Sequence, residues 1–276
     1  MRTTIIAVIA LALATCAGAD TYRIDWSSIN AGGGEMSGGQ YTVKCTIGQP
    51  AAGFVQGDNL LHWVGFWAGD VPTPTVVARI GDAKLLQDGR YVSVSGKIAT
   101  SAAGDFGDFF YIEEAGRFSG IRIAAPPASV SGLTRGSVVN VIGMMATTPG
   151  GERQLAGPMV IIASTTAPLT PLAMANRSLG GGNVGVPPLG QYGITGSTGL
   201  NTVGLLIKTW GQVTATGPGY VDIDDGSGTP VRVDTSLLAS CPAYGSFVSV
   251  IGVSSIAKPA TDRLRLVLPR GDGDVQ

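Results

Sequence analysis

The sequence predicts an all-β chain in which two related five-stranded domains follow a small N-terminal β module. The first observation is composition: of 276 residues, 42 are Gly, 16 are Pro and only 13% are charged, which is typical of short strands joined by many turns. The second is the alternation of apolar and polar residues in stretches such as YVDID and PVRVD, with no long stretch of helical period. The third is an internal repeat with a shift of 109 residues.

The N-terminus predicts an export signal. Arg2 precedes an apolar run at 5–14, and the small residues at 17–19 fit a cleavage site. Loss of residues 1–19 would leave an exported protein, located in the periplasm, on the cell surface or outside the cell. A lipidated Cys16 stays open as an alternative, and a membrane anchor fits less well because the apolar run is too short to span a bilayer.

Residues 20–70 predict a Gly-rich β module with a loose internal repeat. SGGQYTVKCTIG at 37–48 is similar to QGDNLLHWVGFW at 56–67. The stretch resembles a short Gly-rich β module at the N-terminus of some exported bacterial proteins, and that resemblance implies no firm activity. Its aromatic residues could form either an adhesive patch or, in so small a module, its whole core.

The internal repeat defines two homologous domains. GSVVNVIG begins at Gly136, and GSFVSVIG begins at Gly245, 109 residues later. Upstream of these stretches the two copies also align, with a longer first hairpin loop and a longer second turn in the first copy. The aligned pairs are Gly96 with Gly211, Ile112 with Ile223, and Arg122 with Arg232. The domains therefore occupy 79–164 and 200–270.

The order of elements in each copy resembles the OB-fold. Five strands follow one another, and YVDIDDGSGTPVRV at 220–233 resembles the second hairpin of OB domains of the anticodon-binding and replication-protein type. This resemblance implies two five-stranded OB-fold-like Greek-key barrels. It implies little about function, because the fold hosts binders of nucleic acid, oligosaccharide and protein alike.

The same stretch could be mistaken for a calcium loop, since it offers Asp222, Asp224 and Asp225 before two glycines. An EF-type loop needs further oxygen ligands and a distal Glu at fixed spacing, which residues 229–232 do not supply. We therefore predict a hairpin turn at 225–228 and no metal site.

Three segments outside the barrels are predicted to be connections. Residues 71–78 and the Gly/Pro-rich residues 165–199 are predicted linkers, and residues 271–276 a tail. A loose second linker would leave the two barrels as separate folding units.

The chain offers little catalytic chemistry. Its single His has no metal-binding partner in sequence, and no nucleophile motif is present. A loose nuclease-like set exists in the first copy, namely Glu113, Glu114, Arg117 and Arg122, but the second copy has no equivalent of Arg117. We expect no enzymatic activity and no cofactor.

Candidate binding residues come from strand positions that face away from the barrel cores. In the second copy these are Lys208, Trp210, Tyr220, Asp222 and Arg232, and in the first copy Phe109, Tyr111 and Arg122. Aromatic rings beside Arg can stack planar ligand groups. The alternative is that these rings cover a barrel end or pack against the neighbouring domain.

Two functions follow as hypotheses. The first is a non-enzymatic exported protein whose barrels mediate surface, envelope or protein–protein interactions. The second is a binder of nucleic acid or oligosaccharide. Charge disfavours tight nucleic-acid binding, because residues 79–164 carry eight basic and seven acidic residues, and residues 200–276 carry six and seven.

Overall fold

The computed structural model describes residues 32–38, 41–47, 53–57, 60–64 and 73–276. The chain divides into two compact units, Met1–Val71 and Pro72–Gln276, which are described separately. The predicted export signal lies outside the described residues. Within the described part of the chain, no helix is long and apolar enough to cross a membrane.

The first unit contains two β-hairpins. The strands of the first hairpin are β1 (Gly32–Gly38) and β2 (Tyr41–Ile47), and those of the second are β3 (Gly53–Gly57) and β4 (Leu60–Val64). Both hairpins are antiparallel, and Gly38 pairs with Tyr41 just as Gly57 pairs with Leu60. Each of the two similar stretches, 37–48 and 56–67, therefore contains the end of the first strand and the whole second strand of its hairpin. The predicted roles of the aromatic residues in this module concern side chains outside the described set.

The first barrel is built from the first copy of the repeat. A short strand and a helix, β5 (Thr75–Val77) and α1 (Ile80–Lys84), precede it. Its five strands are β6 (Tyr91–Ala99), β7 (Phe110–Glu113), β8 (Gly120–Ala124), β9 (Ser137–Thr147) and β10 (Arg153–Thr165). The strands pair in the order β6-β7-β8-β10-β9, and β9 pairs again with β6 to close the barrel. Among these pairs only β8 and β10 run parallel.

The second barrel repeats this topology. Three short strands lead into it: β11 (Leu172–Ala173), β12 (Val184–Val186) and β13 (Leu189–Gln191). Its five strands are β14 (Leu206–Gly217), β15 (Tyr220–Asp224), β16 (Val231–Asp234), β17 (Phe247–Ala257) and β18 (Leu264–Leu268). Pairing of β14 with β17 closes the barrel, and β16 runs parallel to β18. The predicted fold class, two five-stranded OB-fold-like Greek-key barrels, is confirmed.

The strand register of the second hairpin also agrees with the sequence pattern. Val221 and Ile223 on β15 and Val231 and Val233 on β16 are fully buried and share one core. Because successive side chains alternate between the faces of a strand, the polar residues between them point away from that core. This register places the candidate binding residues on the outside of the barrel.

The two barrels pack against each other through a third apolar cluster, here called the inter-barrel interface. It consists of Phe106 and Tyr111 from the first barrel and Leu206, Val253 and Leu268 from the second, all buried. A polar bond crosses the same boundary, since Glu152 of the first barrel accepts a hydrogen bond from the Ser255 hydroxyl of the second at 2.7 Å. Glu152 also accepts from the Tyr111 hydroxyl of its own barrel at 2.9 Å. Residues 72–276 accordingly form one compact unit.

Residues 165–199 connect the barrels but pack against both of them, unlike the loose linker that their composition suggests. Leu179 is part of the second core, and buried Asn176 donates to the Ile223 carbonyl at 3.0 Å. Gln191 accepts from the Arg153 backbone N–H of the first barrel at 3.0 Å. Residues 165–199 and the inter-barrel interface therefore join the two barrels in one compact unit.

The two other predicted connections also contain regular structure. Residues 75–77 form β5, which runs parallel to β6. At the C-terminal end, Val275 forms a bridge to Val250, and Gln276 exchanges two backbone hydrogen bonds with Ser249. Both segments therefore extend a barrel sheet rather than lying outside it.

Candidate functional site

Both barrels build the same arginine–aromatic stack on the outer face of their second and third strands. The Arg122 guanidinium lies 3.6 Å from the centroid of the Phe109 ring, and the Arg232 guanidinium lies 3.6 Å from the centroid of the Tyr220 ring. In each case the Arg is on the third strand, and the ring is at or just before the start of the second. The repeat has therefore kept one outward-facing arrangement, in which a cation is held over an aromatic face.

In the first barrel this face is covered by the second barrel. Tyr111, which lies opposite Arg122 across the strands, is 0% exposed and forms edge contacts with Phe106 and Phe109. Tyr111 faces away from its own core, and of the two alternatives for such rings the structure shows packing against the neighbouring domain.

In the second barrel the corresponding face is open and polar. Asp222 takes the position of Tyr111, and its carboxylate accepts two hydrogen bonds from Arg232, at 2.9 and 3.1 Å. These bonds to Asp222 raise the pKa of Arg232, so its charge is fixed. Tyr220, Asp222 and Arg232 are all half-buried. A carboxylate at this position cannot anchor an apolar partner surface as Tyr111 does, because its desolvation is costly.

A cleft of about 360 Å³ adjoins this face, here called the arginine cleft. Its charged lining comes from β15, β16, β18 and the loop before β18: Asp222, Arg232, Asp262, Arg263 and Arg265. The connector forms one wall. The Arg263 guanidinium stacks on the connector residue Tyr192 at 3.8 Å, and the Arg265 Nε donates to the Leu179 carbonyl at 3.0 Å.

A second cleft of about 550 Å³ lies beside β14 and the start of β17, here called the aromatic cleft. Trp210 is 47% exposed and Phe247 79% exposed, and Gln212 and Asp224 add polar groups to the lining. The candidate Lys208 is half-buried on the same outward face of β14 and is not among the residues that line this cleft. The structure thus groups Tyr220 with Arg232 but places Trp210 in a different cleft.

The stretch at 225–228 forms a turn, as predicted, and it separates the two clefts. The Asp224 carboxylate accepts from the backbone N–H groups of Gly226 at 2.7 Å and Gly228 at 3.2 Å. Both glycines have positive φ, 93° and 68°. Hydrogen bonds from Ser227 and from the backbone of Asn176 lower the pKa of Asp225. The described residues contain no group of three or more His, Cys, Asp or Glu side chains that could hold a metal ion.

The loose nuclease-like set is used in packing. The Glu113 carboxylate accepts from the Arg117 Nε at 2.7 Å and from the Leu206 backbone N–H of the second barrel. Glu114 accepts from the backbone N–H of Ile80, at the start of α1, at 2.6 Å. These carboxylates are buried and hold neighbouring elements together.

Sequence reasoning missed three residues that define the clefts: Phe247, Arg263 and Arg265. Phe247 begins β17, Arg263 immediately precedes β18, and Arg265 lies within β18, a strand whose alternation is short. Each is an aromatic or basic residue at or near the beginning of a strand, and the sequence contains no other pattern that points to a binding role for them. No protein-family model and no curated protein matches this chain.

Proposed function

We propose that the protein is an exported, non-enzymatic binding protein whose second barrel carries the binding face. One observation supports this most strongly. The repeat keeps the same arginine–aromatic stack in both barrels, but the first stack lies beside the buried Tyr111 of the inter-barrel interface, whereas Arg232 of the second stack lines a cleft. The first barrel then acts as a rigid support, because its equivalent face is already occupied by the second barrel.

The chemistry of the open face favours a polar ligand. Asp222 and Arg232 neutralise each other, while Tyr220 offers a ring and Arg263 a second stacked cation. Binding clefts commonly combine apolar or aromatic walls with a few fixed polar groups, and this face has both. The described part of the chain holds two candidate surfaces rather than a catalytic constellation, so we propose a binding role without chemistry.

A protein or envelope partner remains a second candidate, supported by exposed rings at one end of the second barrel. Phe247 and Tyr244 are 79% and 74% exposed, and Trp210 lies beside Phe247 in the aromatic cleft. Exposed aromatic rings are enriched where proteins bind each other. The absence of a basic excess in this half of the sequence disfavours nucleic acid as the main partner.

The test is a binding screen of the protein against immobilised glycans, oligonucleotides and envelope proteins, at low and physiological salt. We expect binding of at least one class, and we expect the double variant Tyr220→Ala with Arg232→Ala to lose it. Phe118→Ala is the matched control, because Phe118 is an exposed ring of the first barrel that lines neither cleft. Equal binding by the double variant would place the site elsewhere.

A further inference from the structure

The arginine cleft holds positive charge that no carboxylate of the described residues neutralises. Arg232 is paired with Asp222, but neither Arg263 nor Arg265 forms an ion pair with a described residue. The Arg263 Nε itself is buried next to Gly151, which does not line the cleft. The two guanidinium groups that line the cleft therefore lack an acidic partner, and an anionic oxygen bound there could supply one.

Both arginines are held in place before any ligand arrives. The Arg263 guanidinium lies 3.8 Å from the centroid of the Tyr192 ring, and the Arg263 backbone exchanges hydrogen bonds with Thr195 at 2.9 and 3.0 Å. Arg265 donates to the Leu179 carbonyl and to the Ser197 hydroxyl, which leaves part of its guanidinium unused. Burial lowers the pKa of Arg265, as expected for a cation with no acidic partner. A planar guanidinium fixed in this way matches the geometry of a carboxylate.

The surroundings favour a ligand with isolated rather than closely repeated negative charge. Asp222 and Asp262 line the same cleft, and Asp224 and Asp225 lie in the adjoining turn. A phosphodiester backbone crossing this region would place successive charges against these carboxylates, and like charges repel. A chain whose acidic groups are separated by neutral hydroxyl groups would not meet this penalty.

The aromatic cleft offers such a chain a place for a neutral unit. Gly228 lines both clefts, so a single turn separates them. A Cβ atom added at Gly226 or Gly228 would meet nothing within 4 Å, so an extended ligand could cross this turn without a clash. Beyond it, Trp210 and Phe247 present ring surfaces suited to the C–H face of a sugar, and Gln212 and Asp224 supply hydrogen-bonding groups.

We infer that the second barrel binds an acidic oligosaccharide across the 225–230 turn. A carboxylate of the ligand contacts Arg263 and Arg265 in the arginine cleft, and a neighbouring sugar ring packs against Trp210 and Phe247. This inference rests on the proposed function and specifies the ligand class for the same barrel.

The experiment is calorimetric titration of the full protein with three carboxylated probes: partly methyl-esterified oligogalacturonates, sialylated oligosaccharides and hyaluronan oligosaccharides. In each probe neutral sugars separate the carboxylates. Fully methyl-esterified oligogalacturonate is the matched neutral probe, and oligothymidylate is the phosphate probe. We expect at least one carboxylated probe to bind, and its methyl ester or neutral analogue to bind at least about tenfold more weakly, the equivalent of about 1.4 kcal/mol.

Variants assign the contacts. Arg263→Gln should weaken the carboxylated probe at least about tenfold and leave the neutral analogue unchanged, whereas Trp210→Ala should weaken both. Lys258→Gln is the control for loss of one positive charge, because Lys258 is exposed and lines neither cleft. If Arg263→Gln lowers the melting temperature, Arg265→Gln provides the same comparison.

Three results would overturn the inference. These are failure of all three carboxylated probes to bind, equal affinity for the acid and its ester, and preference for oligothymidylate. Any of them leaves the proposed function standing if another ligand class binds and Tyr220→Ala with Arg232→Ala abolishes that binding. The carboxylated probes and the Arg263 variant therefore test the inference, whereas the wider binding screen and the Tyr220/Arg232 double variant test the proposed function.

Discussion

The Tyr111 hydroxyl gives a sharp test of whether this side chain is buried in the inter-barrel interface. It is fully buried in the inter-barrel interface and donates to the Glu152 carboxylate at 2.9 Å. Tyr111→Phe keeps the ring and removes only this donor, so one buried oxygen of Glu152 loses its partner. Hydrogen bonds to charged groups contribute about 1.5–3 kcal/mol each, which sets the expected loss of unfolding free energy.

For a compact unit of this size, 1 kcal/mol corresponds to about 2–4 °C in melting temperature, so Tyr111→Phe should lower it by roughly 3–12 °C. Differential scanning calorimetry of the full chain measures this shift. Tyr220→Phe is the matched control, because Tyr220 occupies the position that Phe109 holds in the first barrel and lies on the open face. Equal melting temperatures for the two variants would refute the assignment of Tyr111 to a buried interface.

Four further predictions concern pH, backbone geometry and the connector. Burial lowers the pKa of Lys84 from 10.5 to about 8, so between these pH values only the unfolded chain keeps the proton and stability rises with pH. Lys84→Met should remove about 3 kcal/mol of that rise, as measured by urea unfolding. Burial raises the pKa of Glu152 above 4.5. Its contribution to the free energy of unfolding is therefore complete below pH 4.5 and is lost as pH rises through the folded-state pKa. Glu152→Gln should flatten this part of the curve of stability against pH. Gly181→Ala should destabilise the fold more than Gly226→Ala in thermal melts, because both have positive φ but only the new Cβ at Gly181 would meet backbone, at 1.9 Å from the Leu200 oxygen. A fragment of residues 198–276 should give no cooperative melt, because it lacks Leu179 and exposes Leu206; a native-like melt would show that the second barrel folds alone.

The barrels could be predicted because their signals are local and occur twice. Alternation in β15 and β16 fixes which residues enter the core, and the 109-residue repeat indicates that the same set of strands occurs twice. A one-residue shift in register would exchange the two faces of a strand, so the buried set Val221, Ile223, Val231 and Val233 excludes it. The same reasoning placed Tyr220 and Arg232 together on the outside.

The inter-barrel interface could not be predicted in this way. An outward-facing residue gives the same sequence pattern whether water or another domain covers it, so Tyr111 and Tyr220 looked alike. The two copies differ at the residue that pairs with the stacked arginine across the strands. Tyr111 pairs with Arg122 in the first barrel, and Asp222 pairs with Arg232 in the second. This exchange of an apolar anchor for a carboxylate could have distinguished the covered face from the open one.

The packing of the connector, residues 165–199, could not be predicted from its composition for a related reason. Its Gly and Pro content is typical of loose segments, yet its glycines allow a compact path that side chains would block. A Cβ atom at Gly193 would lie 2.3 Å from the carbonyl carbon of Gly182, and one at Gly180 would lie 2.1 Å from the Ile194 side chain. Composition alone does not separate a flexible linker from a tightly folded one, since both require glycine.

The most direct measurement of the central claim is amide hydrogen exchange of the full chain, with and without the panel member that binds. If the open face of the second barrel is the binding site, the ligand should slow exchange at residues 220–234 and 262–265. Residues 109–124 of the first barrel, already covered by the second, should exchange alike in both samples. Ligand protection at 109–124, with none at 220–234, would contradict the assignment of binding to the second barrel.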